Sequence, residues 1–274
     1  MKVVVLQSFV GKGYVDNWNL DSKNSTFEAN QTQQLLFKCM KSVKNWCKKK
    51  GYEYILNRKD LKWDYFNSGF KKIGFIYTDD DREKDLSSQI HEICLKINDA
   101  DYIILLHNDI WVYRDFELPK IKNIGLCINL NTIMKGFRSR SPGHTEYIRK
   151  IIHGNIHYPQ TGVQFINGTA NKHYNEWIVN SIKSDNWPIF WSKLNQPFVY
   201  EYSRQYPEKI TWLDSRYNSI PGKYTMKNAS CPIEDKETDN QMRNSYLIHF
   251  AGIHKLNIFD KMPDDMKEKF NNIK

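Results

Sequence analysis

Asp101-Tyr102-Ile103-Ile104-Leu105-Leu106-His107-Asn108-Asp109-Ile110-Trp111-Val112-Tyr113-Arg114-Asp115 sets one apolar run, Tyr102 to Leu106, directly before a polar break and a second short apolar run. The first run has the length and texture of a buried strand. A carboxylate placed where a core strand leaves the interior is costly unless it has a partner, and the usual partner is a cation. Strand ends of open α/β sheets are also where ligands bind. The stretch therefore points to a divalent-metal site at the carboxyl edge of a sheet, most simply one that holds a nucleoside diphosphate.

Upstream, Val3 to Leu6 reads as a core strand and Gln7 to Asp21 as a polar, aromatic loop with Gly11 and Gly13. Helical spacing runs from Phe27 to Lys50 through Leu35, Leu36, Cys39, Met40, Val43, Trp46 and Cys47, and Gly51 stops it. Tyr52 to Leu56 is a second strand. Phe75 to Tyr77 is a candidate short strand, and Leu86 to Ile97 a helix that delivers the chain to Tyr102. Alternation of strand and helix predicts a parallel sheet.

Downstream, Ile124 to Ile128, Gln160 to Ile166 and Tyr246 to Phe250 read as strands. His173 to Lys183 and Leu194 to Arg204 read as helices, and Lys135 to Pro159 as a basic loop region. No internal repeat or linker divides the 274 residues, so one α/β unit is expected over 1–274.

A 40% hydrophobic content supplies a full core, which argues against disorder. The net charge of +9 favours anionic partners, but the lysines are scattered. The densest run, Lys48 to Lys50, closes a helix, where cations suit the helix dipole. Five cysteines without a CxxC pair fit neither a disulfide framework nor a zinc ribbon. Reduced thiols, an N-terminus that opens into a strand and the lack of a long apolar run together predict a cytoplasmic protein without a transmembrane segment.

Five motifs in order resemble those of GT-A glycosyltransferases, nearest the family 8 and family 34 type. Ala100 to Val112 resembles the segment that carries the Asp-x-Asp motif. Gln160-Thr161-Gly162-Val163-Gln164-Phe165-Ile166 is similar to the Asn-(Ser/Thr)-Gly-Val strand near the acceptor, and Leu194-Asn195-Gln196-Pro197 to the Asp-Gln helix start. Ile210-Thr211-Trp212-Leu213-Asp214-Ser215-Arg216-Tyr217-Asn218 resembles the Leu-Pro-x-x-Tyr-Asn stretch. Ile248-His249-Phe250-Ala251-Gly252-Ile253-His254-Lys255 resembles the terminal His-(Phe/Tyr)-x-Gly-x-x-Lys motif.

The resemblance implies a GT-A, Rossmann-like fold with a central mostly parallel sheet flanked by helices. It implies a nucleotide-sugar-binding half, 1–115, and an acceptor-binding half, 116–274. The implied activity is transfer of a hexose or pentose from a nucleotide sugar, a UDP-sugar first, to a glycan or glycoconjugate acceptor. Mn²⁺ or Mg²⁺ would stabilise the leaving diphosphate, with Asp109 and His249 as its ligands and His107 either a third ligand or a residue beside the ribose. Gln7, Ser8, Tyr14, Asn108, Gly252 and Lys255 would bind the donor, Lys255 as a point charge on phosphate. Asp109, Gln196 and Asp214 are the candidate catalytic residues.

Two positions depart from the pattern. His107 stands at the first aspartate of Asp-x-Asp, and Asn195 replaces the aspartate of Asp-Gln. They motivate a rival reading, a catalytically inactive relative that binds glycan or nucleotide. A second rival, a basic nucleic-acid-binding protein, rests on charge and aromatics and lacks a recognition motif. Retention is implied by the resemblance; inversion would need a carboxylate base, for which Asp185, Glu201 and Asp214 are candidates. Other features have plain structural readings. Asp79 to Asp81 is expected to cap a helix, and Gly11-Lys12-Gly13 is too short for a Walker loop. His144, His153 and His157 lack metal spacing. Trp187 and Trp191 are candidate acceptor platforms, because aromatic faces stack on sugar rings.

Overall fold

A computed structural model describes residues 1–11, 31–60, 90–128, 159–184, 195–220, 235–250, 255–260 and 262–273. Tyr14, Phe75 to Tyr77, Asp79 to Asp81, Asp185, Trp187, Trp191, Gly252 and the histidines at 144, 153 and 157 lie outside the described residues, as does most of the Lys135 to Pro159 stretch.

Eight strands are described: β1 (Val3–Gly11), β2 (Glu53–Asp60), β3 (Tyr102–His107), β4 (Ile110–Val112), β5 (Ile124–Ile128), β6 (Pro159–Asn167), β7 (Ile210–Leu213) and β8 (Leu247–His249). The helices are α1 (Gln31–Lys50), α2 (Asn171–Lys183), α3 (Asn195–Gln205), α4 (Asp235–Asn244), α5 (Lys255–Asp260) and α6 (Asp264–Asn271), with a short helical segment at 90–94 before β3.

Six strands form one sheet in the order β2-β1-β3-β6-β5-β7, and β4 pairs with β8 in a second. β1 lies parallel to β2 and β3, and β7 parallel to β5; β6 runs antiparallel to both its neighbours. The expected mostly parallel α/β sheet is thus present, with β6 as its reversed strand.

β3 explains why a parallel strand reads as a continuous apolar run. Ile103 and Leu105 pack on one face with Tyr174 and Ile178 of α2 and Phe198 and Tyr202 of α3. Tyr102, Ile104 and Leu106 pack on the other with Val43, Trp46 and Cys47 of α1. Both faces are covered, so both need apolar side chains. Each fully buried Leu or Ile contributes roughly 1.5–3 kcal/mol.

α1 ends where expected. Gly51 takes φ 70°, Tyr52 N–H donates to Cys47 O at 2.9 Å and Gly51 N–H to Lys48 O at 3.4 Å, a Schellman arrangement. The basic run beside it faces acidic side chains. Lys49 and Lys50 reach Asp115 at 2.9 Å, and Lys50 reaches Glu117 at 3.1 Å. Burial pushes the Asp115 carboxyl up, but hydrogen bonds from Lys49, Lys50 and Trp46 outweigh it and hold the group well below the usual carboxylate range. These lysines therefore already have acidic partners within the chain.

Two sequence expectations are corrected. Gln7 to Gly11, assigned to a loop, belong to β1, and β2 runs on to Asp60 rather than ending at Leu56. Gln7 is polar yet fully buried. Its Nε2 donates to the His107 carbonyl at 2.8 Å, and Tyr54 Oη donates to its Oε1 at 2.8 Å. A buried amide with both ends bonded is tolerated inside a sheet, so polarity does not mark the strand's exit here.

The four described cysteines, Cys39, Cys47, Cys94 and Cys127, are buried free thiols, as expected. Burial pushes the Cys47 thiol up to about 12. No described helix is long and apolar enough to cross a membrane.

Candidate metal centre

The β3 strand ends at His107, a turn carries the chain through Asn108 and Asp109, and β4 begins at Ile110. β4 then pairs antiparallel with β8 in the register Ile110↔His249, Trp111↔Ile248 and Val112↔Leu247. Phe250 N–H donates to Asp109 O at 3.0 Å and fixes the end of this ladder. The pairing brings two residues distant in sequence side by side. His249 Nε2 lies 3.2 Å from Asp109 Oδ1, with both side chains almost wholly buried.

The ring of His107 meets that of His249 edge-on, with centroids 5.4 Å apart. One ligand atom from each of His107, Asp109 and His249 lies within 4.8 Å of the others, a spacing that could hold a metal ion. The donor set of two imidazoles and one carboxylate suits first-row divalent ions. All three residues were singled out from the sequence.

Two features of the surroundings fit such an ion. Nδ1 of His249 lies 3.0 Å from Asn218 Oδ1, which leaves Nε2 facing Asp109. A metal-binding histidine ordinarily has this kind of outer hydrogen bond. The backbone of Gly162 backs the same ring: a Cβ there would stand 2.3 Å from His249 Cε1 and 2.5 Å from Nδ1. The glycine of the β6 motif is therefore required by the imidazole packed upon it. Gly162→Ala is expected to destabilise the fold by about 1–3 kcal/mol through overpacking. It should also weaken divalent-ion binding by about 10- to 100-fold as the ring is displaced. Calorimetric titration and a melting curve on the same preparation measure both; an unchanged ion affinity would show that the ring can slide without consequence.

The remaining predicted residues are placed as follows. Gln7 is used within the sheet, and Ser8 pairs with His107 across β1 and β3. Asn108 is half-buried in the turn before Asp109. Gln196 Nε2 donates to the Pro159 carbonyl at 2.7 Å, tying the start of α3 to the start of β6. Asp214 caps a short 3₁₀ turn, Ser215–Tyr217, accepting from Arg216 N–H at 2.8 Å and pairing with Arg216 Nε at 3.1 Å. Burial pushes its carboxyl up, but the bonds from Arg216 prevail and lower it. Lys255 opens α5. Glu201 is bonded to Arg204 at 2.8 Å within α3.

No protein-family model matches the sequence, and no curated protein sequence matches it. Solved structures do share its fold. A glycosyltransferase involved in glycosylation of the major capsid of PBCV-1 superposes with a TM-score of 0.51 at 13% identity, covering 99% of both chains. The galactosyltransferase LgtC, solved with donor and acceptor sugar analogues, gives 0.52 at 13% identity, covering 98% of this chain and 94% of that one. The bifunctional glycosyltransferase WbbM gives 0.54 at 11% identity over the whole of this chain and 52% of its own. The chain has the GT-A glycosyltransferase fold, the class expected from its motifs.

Proposed function

We propose that the protein is a metal-dependent glycosyltransferase that moves a sugar from a nucleotide sugar, a UDP-sugar first, to a glycan or glycoconjugate acceptor. One observation carries this reading: His107, Asp109 and His249 converge within 4.8 Å at the end of β3 in a GT-A sheet. These three side chains would hold Mn²⁺ or Mg²⁺. When bound, the ion supplies Lewis-acid stabilisation of the departing diphosphate.

The chain's own residues supply the rest. Asp109 contributes the carboxylate, and the two imidazoles present their ring nitrogens beside it. Three protein ligands leave positions for phosphate oxygens. Gly252 and Lys255 are assigned to the phosphates, with Ser8, Tyr14 and Asn108 on the donor side. Gln7 is assigned to bracing the donor-side strand ends, through its bond to the His107 carbonyl. Gln196 and Asp214 are assigned to the acceptor side. A thermal-shift screen of UDP-, GDP- and CMP-sugars with and without Mn²⁺ tests the reading, since a ligand that binds the native state raises the melting point. A nucleotide sugar should stabilise the protein, and more so with the ion. Stabilisation without any donor hydrolysis or transfer would favour the inactive, ligand-binding alternative instead.

His107 makes the site distinctive. Imidazole suits Mn²⁺ better than Mg²⁺, so wild-type turnover is expected to favour Mn²⁺ by about tenfold or more. His107→Asp should restore a carboxylate pair and flatten that preference. Titration of both ions into both proteins measures it; identical selectivity before and after the substitution would remove His107 from the ligand set.

A further inference from the structure

We propose that Asn218 is the positioning residue that sets the tautomer of His249, and so decides which ring nitrogen faces the ion. The proposal rests on the metal reading of His107, Asp109 and His249.

The geometry has three parts. First, Asn218 Oδ1 and His249 Nδ1 lie 3.0 Å apart, with both residues buried. An amide oxygen can only accept, so Nδ1 carries the proton and donates it. The lone pair of the neutral ring then belongs to Nε2, the nitrogen 3.2 Å from Asp109 Oδ1.

Second, the amide is held in place by its own backbone. Asp214 caps the 3₁₀ turn before it, and Asn218 N–H donates to Ser215 O at 3.0 Å. The next residue bridges to β8: Ser219 N–H donates to Leu247 O at 3.0 Å, and His249 N–H donates to Ser219 O at 2.9 Å. The segment carrying Asn218 is thus hydrogen-bonded to the strand carrying His249, in register with it. This gives Asp214 a structural task two steps from the ion.

Third, the rest of the ring is boxed in. Gly162 backbone lies against Cε1 and Nδ1, and His107 meets the ring edge-on. The imidazole therefore has little freedom to flip and exchange its two nitrogens.

The competing arrangement is chemically definite. With the amide turned over, Asn218 Nδ2 would donate to a bare Nδ1, and Nε2–H would point at Asp109. That state offers no imidazole lone pair to an ion. Asn218 Nδ2 is a buried donor without a hydrogen-bond partner among the described residues, so this orientation gives Nδ1 an acceptor and leaves the amide N–H unmatched there.

The test uses the full chain with ¹⁵N-labelled histidine, titrated with Zn²⁺ as a diamagnetic probe, for wild type, Asn218→Asp and Asn218→Leu. Long-range ¹H–¹⁵N spectra should show the His249 Nδ1 protonated in wild type, with Nε2 as the nitrogen that shifts on adding Zn²⁺. Asn218→Asp, which keeps the acceptor, should preserve that pattern and retain affinity within a few-fold. Asn218→Leu should lose the tautomer preference and weaken Zn²⁺ binding about 10- to 100-fold. A bare Nδ1 in wild type, or unchanged Zn²⁺ affinity in a folded Asn218→Leu, overturns the proposal while the metal reading stands. Should Asn218→Leu fail to fold, the wild-type and Asn218→Asp spectra still decide. No Zn²⁺ binding by wild type at all would overturn the metal reading and this proposal together.

Discussion

Asp109→Ala is expected to reduce turnover by about a thousandfold or more, on the order of 4 kcal/mol of transition-state stabilisation, while the protein stays folded. Asp109 is 4% exposed and sits where β3 gives way to β4. A carboxylate there is costly to desolvate, and two imidazoles stand beside it. A divalent ion held there would offset that cost. Removing the carboxylate relieves the burial penalty, so the melting temperature should change little without metal, while the stabilisation given by Mn²⁺ disappears. Asp109→Asn, which keeps the shape, should behave the same way. Steady-state rates with Mn²⁺, together with melting curves with and without it, check both halves. An active Asp109→Ala enzyme, or full wild-type activity in excess EDTA, would falsify the metal assignment.

The second large effect is on stability. His91 is fully buried in the helical segment before β3. Its Nδ1 lies 2.7 Å from Asn175 Oδ1. Asn175 spends its Nδ2 on the Asn171 carbonyl and side chain, so its oxygen is left to accept from the histidine. The other nitrogen, Nε2, has no hydrogen-bond partner among the described residues. Burial outweighs the bond to Asn175 and lowers this imidazole from 6.5 to about 4.

The sign follows from which state takes the proton. Above pH 6.5 the group is neutral in both states and adds no pH dependence. Between pH 6.5 and about 4 only the unfolded chain is protonated, so stability falls. Below about pH 4 the loss is complete, at roughly 3 kcal/mol. His91→Gln should be less stable than wild type at pH 8, because packing is lost, but should lack this term. The stability difference between the two proteins is therefore expected to shrink by roughly 3 kcal/mol from pH 8 to pH 4. Urea denaturation at pH 8, 6 and 4 measures it, and a constant difference would show that His91 is hydrated in the folded state.

Much of the fold is local information, and the sequence carries it openly. β3 and β5 are continuous apolar runs, α1 has a helical stripe and a stop at Gly51, and the strand–helix alternation sets a parallel sheet. The extents of β1 and β2 were not legible. Gln7 is polar, and only its bonds to Tyr54 and the His107 carbonyl make it a core residue. His91 was equally hidden. A histidine among helical residues gives no sign that it is sealed against Asn175.

The sequence by itself determined the strand that ends in His107-Asn108-Asp109 and the chemical types at its end. Those depend on the period of apolar residues and on the cost of burying charge, both readable along the chain. His249 was named from its own motif, but only the tertiary structure shows how it comes beside Asp109. His249 reaches Asp109 because β8 pairs with β4 in one register, and slipping that register by one residue would turn the imidazole to the opposite face. Gly162 and Asn218 matter because of what packs against them, an imidazole ring in one case and its Nδ1 in the other. Such demands come from through-space contact between segments far apart in sequence, and no local pattern encodes them.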